Sequence, residues 1–194
     1  MLMNQEIAVV IPAYFNLKDF KLTFNSVLSQ SHTPKEIIII DSSKDNLIKQ
    51  FVEGNNPLKN TEIIYLQQTK KLFPGAARNL GASISSSKWI AFLDTKTIPN
   101  SNWLKSILNK AISNKADVVF GKTKYKALTK FQFYLIGSTY GYNPIVTVPG
   151  SLILKSKFEE TYGFNPIVRS GEDLQWRKEV SERFLQLRLM IRTH

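Results

Sequence analysis

The segment Trp89-Ile-Ala-Phe-Leu-Asp-Thr-Lys96 carries two signals at once. Trp89 to Leu93 is apolar without a break, which predicts a short strand buried on both faces. Asp94 then ends the run, so a carboxylate stands at the carboxyl end of a central strand. In an open α/β sheet, ligands bind in the crevice that strand tips and their following loops form at that edge. An aspartate after a strand also serves to cap a turn or helix. Here the next helical pattern begins only near Ser101, after Pro99, so a site is the favoured reading.

Working outward, Ile7 to Ile11, Glu36 to Asp41, Thr61 to Leu66 and Asp117 to Gly121 read as further strands. Between them, Leu17, Phe20, Phe24, Val27 and Leu28 recur at helical spacing, as do Leu104, Ile107, Leu108, Ala111 and Ile112. A helix also opens at Phe73-Pro-Gly-Ala-Ala-Arg-Asn79 and is expected to reach about Ser86. Strands alternating with helical stretches predict a doubly wound, mostly parallel sheet. From Lys122 to Asn143 the pattern loosens into aromatic and basic residues. Thr147 to Leu154 is expected to be a strand broken at Pro149-Gly150. A last helix starts at Gly171-Glu172-Asp173, with Trp176, Val180, Phe184 and Leu187 on one side and Trp176 as core.

The 194 residues are 43% hydrophobic, enough for one sizeable core. A single domain over 1–194 is expected, with a nucleotide-binding part at about 1–121 and an acceptor and catalytic part at about 122–194. There is no cysteine, and His32 and His194 lie far apart, which argues against disulfides, thiolate metal sites and histidine-centred triads. The amino terminus does not read as a signal peptide, and no window approaches the roughly 18 apolar residues of a membrane span. A cytoplasmic protein is expected, with docking on an anionic membrane face left open. The net charge of +11 favours phosphate-rich partners or such a surface. No aromatic-and-basic RNA motif or zinc finger accompanies it, so specific nucleic-acid binding is not expected.

Five segments in order resemble family 2 glycosyltransferases of the GT-A fold. They are Val9-Val-Ile-Pro-Ala-Tyr-Phe-Asn16, Ile38-Ile-Ile-Asp-Ser-Ser43, Pro74-Gly-Ala-Ala-Arg-Asn-Leu-Gly81, Ile90-Ala-Phe-Leu-Asp-Thr-Lys96 and Gly171-Glu-Asp-Leu174 with Arg177. The resemblance implies an inverting transfer of a sugar from a nucleotide-diphosphate donor, uridine by default, to an acceptor hydroxyl. The acceptor would be a glycan or lipid-linked chain in polysaccharide or glycolipid assembly of the cell envelope.

By that resemblance Pro12, Tyr14, Asn16, Asp41 and Ser43 contact the donor, with Tyr14 against the base. Asn16 alternatively caps the next helix. Gly75 opens a helix amino terminus suited to anions, its missing Cβ letting a ligand approach the backbone. Arg78 either meets phosphate or pairs an aspartate to shape the pocket. Gly150, Ser151 and the Tyr162-Gly-Phe164 loop border the acceptor. Asp173 is the base that takes the acceptor proton, supported by Glu172; acidic residues in a first helical turn also serve stability alone.

One position departs from the family. Its usual Asp-x-Asp binds Mg²⁺ or Mn²⁺, but here Asp94 is followed by Thr95 and Lys96. An ammonium in place of the second carboxylate lowers metal affinity. Three readings follow: Lys96 replaces the metal on the leaving diphosphate; Asp94 still holds a weakly bound ion; or the protein is a non-catalytic relative. A nucleotidyltransferase of the same fold is a further alternative, disfavoured because Pro12 to Asn16 lacks a glycine-rich basic loop. Relatives often continue past the Glu-Asp helix, so the chain is either a compact member or lacks a tail that completes the acceptor site. The segment from Arg183 to Arg192 reads as packing on its own domain or a second subunit, with an interfacial helix as the alternative. Oligomeric state is left open.

Overall fold

The structure is a computed structural model that describes residues 5–55 and 59–188. Seven strands among these residues form one sheet in the order β3-β2-β1-β4-β6-β5-β7. They are β1 (Ile7–Ala13), β2 (Glu36–Asp41), β3 (Glu62–Gln67), β4 (Trp89–Phe92), β5 (Val118–Thr123), β6 (Ile145–Leu154) and β7 (Gln186–Arg188). The helices are α1 (Leu17–Leu28), α2 (Leu47–Glu53), α3 (Pro74–Ile84), α4 (Trp103–Ser113), α5 (Lys130–Thr139), α6 (Lys155–Glu159) and α7 (Glu172–Arg183).

β1 lies between β2 and β4, parallel to both, with Val10 opposite Ile38 on one side and Phe92 on the other. The chain therefore winds outward to β3, then returns past β1 to β4. That reversal leaves a crevice at the carboxyl ends of β1 and β4. It is the reason Pro12 to Tyr14 and Asp94 to Lys96 face one space.

Side-chain alternation along the strands divides the core. Val9, Ile11, Ile37 and Ile39 pack against Phe20, Phe24, Trp103 and Ile107 of α1 and α4. Ala8, Val10, Ile38 and Ile40 pack against Ala77, Phe164, Trp176 and Val180 on the α3 and α7 side. Strands with two covered faces must be apolar at every position, which explains the unbroken runs in the sequence. Trp176 is core, as expected.

The sheet is mostly parallel, as expected, and β6 alone runs antiparallel, to both β4 and β5. Two expectations are corrected, one in β6 and one at the last helix. Pro149-Gly150 does not break β6. It marks a register shift opposite Val119 to Gly121, with Gly150 at φ +86°; proline, which donates no ladder hydrogen bond, is tolerated at such an irregularity. The last helix ends at Arg183, and Gln186 to Arg188 pair with β5 as an edge strand, so Leu187 is not on the helix face. An interfacial helix from Arg183 is thereby excluded up to Arg188; the remainder to Arg192 lies outside the described residues.

α5 sits in the stretch that showed no clear periodicity, and none of its residues is buried. No helix among the described residues is long and apolar enough to cross a membrane.

Candidate functional site

The sheet edge supplies Asp94, the α3 start supplies Arg78, and the α7 start supplies Glu172 and Asp173. Arg78 joins them. Its Nη2 donates to Asp94 Oδ1 at 2.8 Å, and its Nη1 donates to Asp173 Oδ1 at 2.9 Å and Glu172 Oε1 at 3.2 Å. Only 2% of the Arg78 side chain is exposed. Burial works against its charge, but Asp94, Asp173 and Glu172 outweigh that and hold the guanidinium protonated. The planar fork is what allows one side chain to serve three carboxylates. The ring of Phe164 lies 5.3 Å beneath it.

The two α7 carboxylates are not equivalent. Glu172 is 5% exposed and lies against Gly75, whereas Asp173 keeps 30% of its side chain exposed. Burial pushes the Asp173 carboxyl up to about 6; Arg78 pulls it down, and the Asp94 and Glu172 charges push it up again. A carboxylate with that affinity for protons, partly open to solvent, is suited to general base work near neutral pH.

In front of Asp94 is a cleft of about 1000 Å³. One wall is Pro12, Ala13, Tyr14 and Ser42, with Lys71 to Pro74; the opposite wall is Thr123 to Lys126 with Thr147 and Pro149. Asp94 to Ile98 form its floor, and Arg169 reaches it from the loop before α7. The cations Lys71, Lys96, Lys124, Lys126 and Arg169 line it against one carboxylate, Asp94. Such a surface attracts phosphate. Lys71 lies over the Tyr14 ring at 4.1 Å, so one face of that ring already holds a cation.

Among the residues expected at the site, Pro12, Tyr14, Asp94 and Lys96 line the cleft. Others are turned elsewhere. Asp41 is fully buried; its Oδ1 accepts from the Ser43 amide and hydroxyl, and its Oδ2 from the Tyr65 hydroxyl at 2.6 Å. Ser43 Oγ also accepts from the Phe15 amide. This pair shapes the loops behind the Tyr14 wall and does not reach into the cleft. Asn16 caps α1, accepting from the Asp19 amide. Gly75 admits its own chain: a Cβ there would lie 2.8 Å from the Asn165 carbonyl oxygen. Ser151 is fully buried, bonded to the Thr147 carbonyl and the Gly121 amide, and the Gly150 carbonyl accepts from Trp103 Nε1. These two brace the β6 bulge and do not border an open acceptor site. Phe164 is core, fixed at its backbone by both ends of the Asn79 amide.

Lys71, Lys124, Lys126 and Arg169 were not singled out from the sequence. Only the overall basic charge pointed toward them.

The profile of glycosyl transferase family 2 matches residues 8–169. This chain belongs to glycosyl transferase family 2. An uncharacterized glycosyltransferase of Rickettsia bellii is 30% identical over 187 residues, covering 89% of this chain and 26% of the relative. The poly(ribitol-phosphate) beta-N-acetylglucosaminyltransferase TarP of Staphylococcus aureus is 30% identical over 124 residues, or 61% of this chain and 36% of TarP. The crystal structure of S. aureus TarS 1–349 superimposes with a TM-score of 0.74 at 19% identity, covering 95% of this chain and 58% of that one. TarS 1–349 in complex with UDP-GlcNAc matches with a TM-score of 0.73 at 18% identity, covering 97% of this chain and 59% of that one. These likenesses establish the GT-A fold. The chain spans 26% of the R. bellii relative and 36% of TarP, well under half of either.

Asp94 is the one carboxylate that lines the cleft among the described residues. Asp94 Oδ1 is already bonded to Arg78, and the guanidinium fills the space among the three carboxylates. Among the described residues, no group of three or more histidine, cysteine, aspartate or glutamate side chains is placed to hold a metal. Hard cations require several oxygen ligands, and Lys96 offers none.

Proposed function

We propose that this chain is the donor-binding and catalytic part of an inverting glycosyltransferase that uses a UDP-sugar and is metal-independent at the diphosphate. The observation that carries it is the Arg78 bridge between Asp94 beneath the cleft and Asp173 at the start of α7. It sets a donor-side carboxylate and a base of raised proton affinity around one buried cation.

Tyr14 and Pro12 border the nucleoside, and Lys71 and Lys96 face the diphosphate. The acceptor oxygen attacks the anomeric carbon while its proton passes to the Asp173 carboxylate. The bond from that carbon to the diphosphate oxygen breaks, the oxygen keeping the electron pair, and Lys96 stabilises the charge that develops there. Attack opposite the leaving group inverts the anomeric centre. The TarS complex with UDP-GlcNAc makes that compound the first donor to try, and the TarP name makes a polyol chain the first acceptor class.

The test is release of UDP from UDP-GlcNAc, measured for the wild type and for Asp173→Asn. The reading expects turnover that the variant loses while still binding UDP. Binding without turnover in the wild type would instead support a non-catalytic relative, the reading that Lys96 motivates.

A further inference from the structure

The cleft holds more positive charge than a diphosphate requires, and the excess is segregated. Lys71 and Lys96 lie toward the β1–β2 side or on the floor, whereas Lys124 and Lys126 extend from the end of β5. β5 is four strands from β2 in the sheet, about 19 Å by ordinary strand spacing. From Val118 to Phe158 the chain carries six lysines and neither aspartate nor glutamate. Lys124, Lys126 and Arg169 make no ion pair among the described residues, although all three are exposed on the cleft. Between the two lysines, Tyr125 stacks on Tyr140 at 4.3 Å, which fixes this strip on the end of α5.

We propose that this wall binds the acceptor, and that the acceptor is a polyanionic chain carrying phosphodiester groups, held by Lys124, Lys126 and Arg169; this rests on the glycosyltransferase reading above. Two lysines on this wall and Arg169 on the loop before α7, none in an ion pair among the described residues, match repeated negative charge better than a single neutral sugar, and Tyr125 offers a flat ring between the lysines. Tyr125 lines the same cleft as Asp94, the carboxylate that Arg78 bridges to Asp173. A chain drawn along the lysines brings a hydroxyl past Tyr125 to Asp173.

The test measures fluorescence anisotropy with a labelled ribitol-phosphate hexamer, a labelled neutral maltohexaose and a labelled RNA hexamer. Each is titrated with wild type, with Lys124→Ala/Lys126→Ala and with Arg169→Gln, and UDP binding is followed calorimetrically in the same preparations. The proposal expects the ribitol-phosphate oligomer to bind at least about tenfold more tightly than either other probe. Raising salt should weaken it, because screening shortens the reach of exposed charges. The double variant should lose about tenfold or more of that affinity while its UDP affinity stays within about twofold. Equal binding of the neutral oligomer, equal binding of RNA, or an unaffected double variant would overturn it. A parallel loss of UDP affinity would also overturn it, by assigning the strip to the donor. Failure of the wild type to bind UDP, with oligomer binding intact, contradicts the donor assignment and leaves the charge of this wall standing.

Discussion

Arg78 Nη2 lies 2.8 Å from Asp94 Oδ1, tying the start of α3 to the loop that follows β4 at the floor of the cleft. The same guanidinium reaches Asp173 and Glu172, residues more than ninety positions away in sequence. A buried cation with three carboxylate partners is a strong coupling: removing one member leaves the others uncompensated. Arg78→Met is therefore expected to lower unfolding free energy by about 3–5 kcal/mol, read from urea denaturation. Arg78→Lys should recover only part, since a compact ammonium lacks the planar fork. A loss within about 0.5 kcal/mol for Arg78→Met would show that the bridge does not hold the site together.

Asp173 supplies a pH test. Its carboxyl is pushed up to about 6, and a base acts only when deprotonated. Transfer activity should therefore fall on the acid side, by about tenfold per pH unit below 6, and level off above it. Asp173→Asn should lower the rate by at least about 100-fold and abolish that limb. A pH–rate profile flat from 5 to 8 would assign the base elsewhere.

At the other end of the sheet, Glu36 of β2 is buried and accepts from the Ser85 hydroxyl, the Ser86 amide and hydroxyl, and the Ser87 amide and hydroxyl. Burial raises its pKa, but these donors outweigh it and hold the carboxyl below its usual value of 4.5. A depressed carboxylate stabilises the fold above its unfolded pKa and ceases to as pH falls. Glu36→Gln should thus destabilise by about 2 kcal/mol at pH 7. The gap to wild type should narrow below pH 4.5, as thermal melts across pH would show. A gap that widens in acid would contradict this.

Gly75 separates two roles that the sequence permitted. If it serves the ligand, Gly75→Ala weakens UDP binding and spares the fold. In the structure the added Cβ meets the Asn165 carbonyl at 2.8 Å and Phe164 Cβ at 3.0 Å. The expected outcome is a stability loss of about 1–3 kcal/mol from overpacking, seen as a lower melting temperature.

The buried strands were legible because parallel strands with two covered faces need apolar residues throughout, as Ile37 to Ile40 and Trp89 to Leu93 show. Strand direction was not: the apolar run of β6 reads the same whichever way it enters the sheet. Asp94 and Lys96 were placed correctly at the cleft because a strand tip has few places to point. Asp41 sits at an equivalent tip, yet Tyr65, on a neighbouring strand, draws its carboxylate inward. For Arg78 the sequence left phosphate and carboxylate as equal partners. The choice was set by residues at separations of 94 and 95, beyond any local pattern. Lys124 and Lys126 lie past the regular part of β5, where periodicity carries no information, and only the fold brings them opposite Tyr14.

The central claim is that Lys96 takes the part of the divalent ion at the donor diphosphate. It is tested most directly by calorimetric titration with UDP in EDTA and in Mn²⁺, for wild type, Lys96→Ala and Asp94→Ala. The account predicts that wild-type affinity is unchanged by EDTA and falls about tenfold, or about 1.4 kcal/mol, in Lys96→Ala. Binding that requires Mn²⁺, is lost in Asp94→Ala and is indifferent to Lys96→Ala would contradict it.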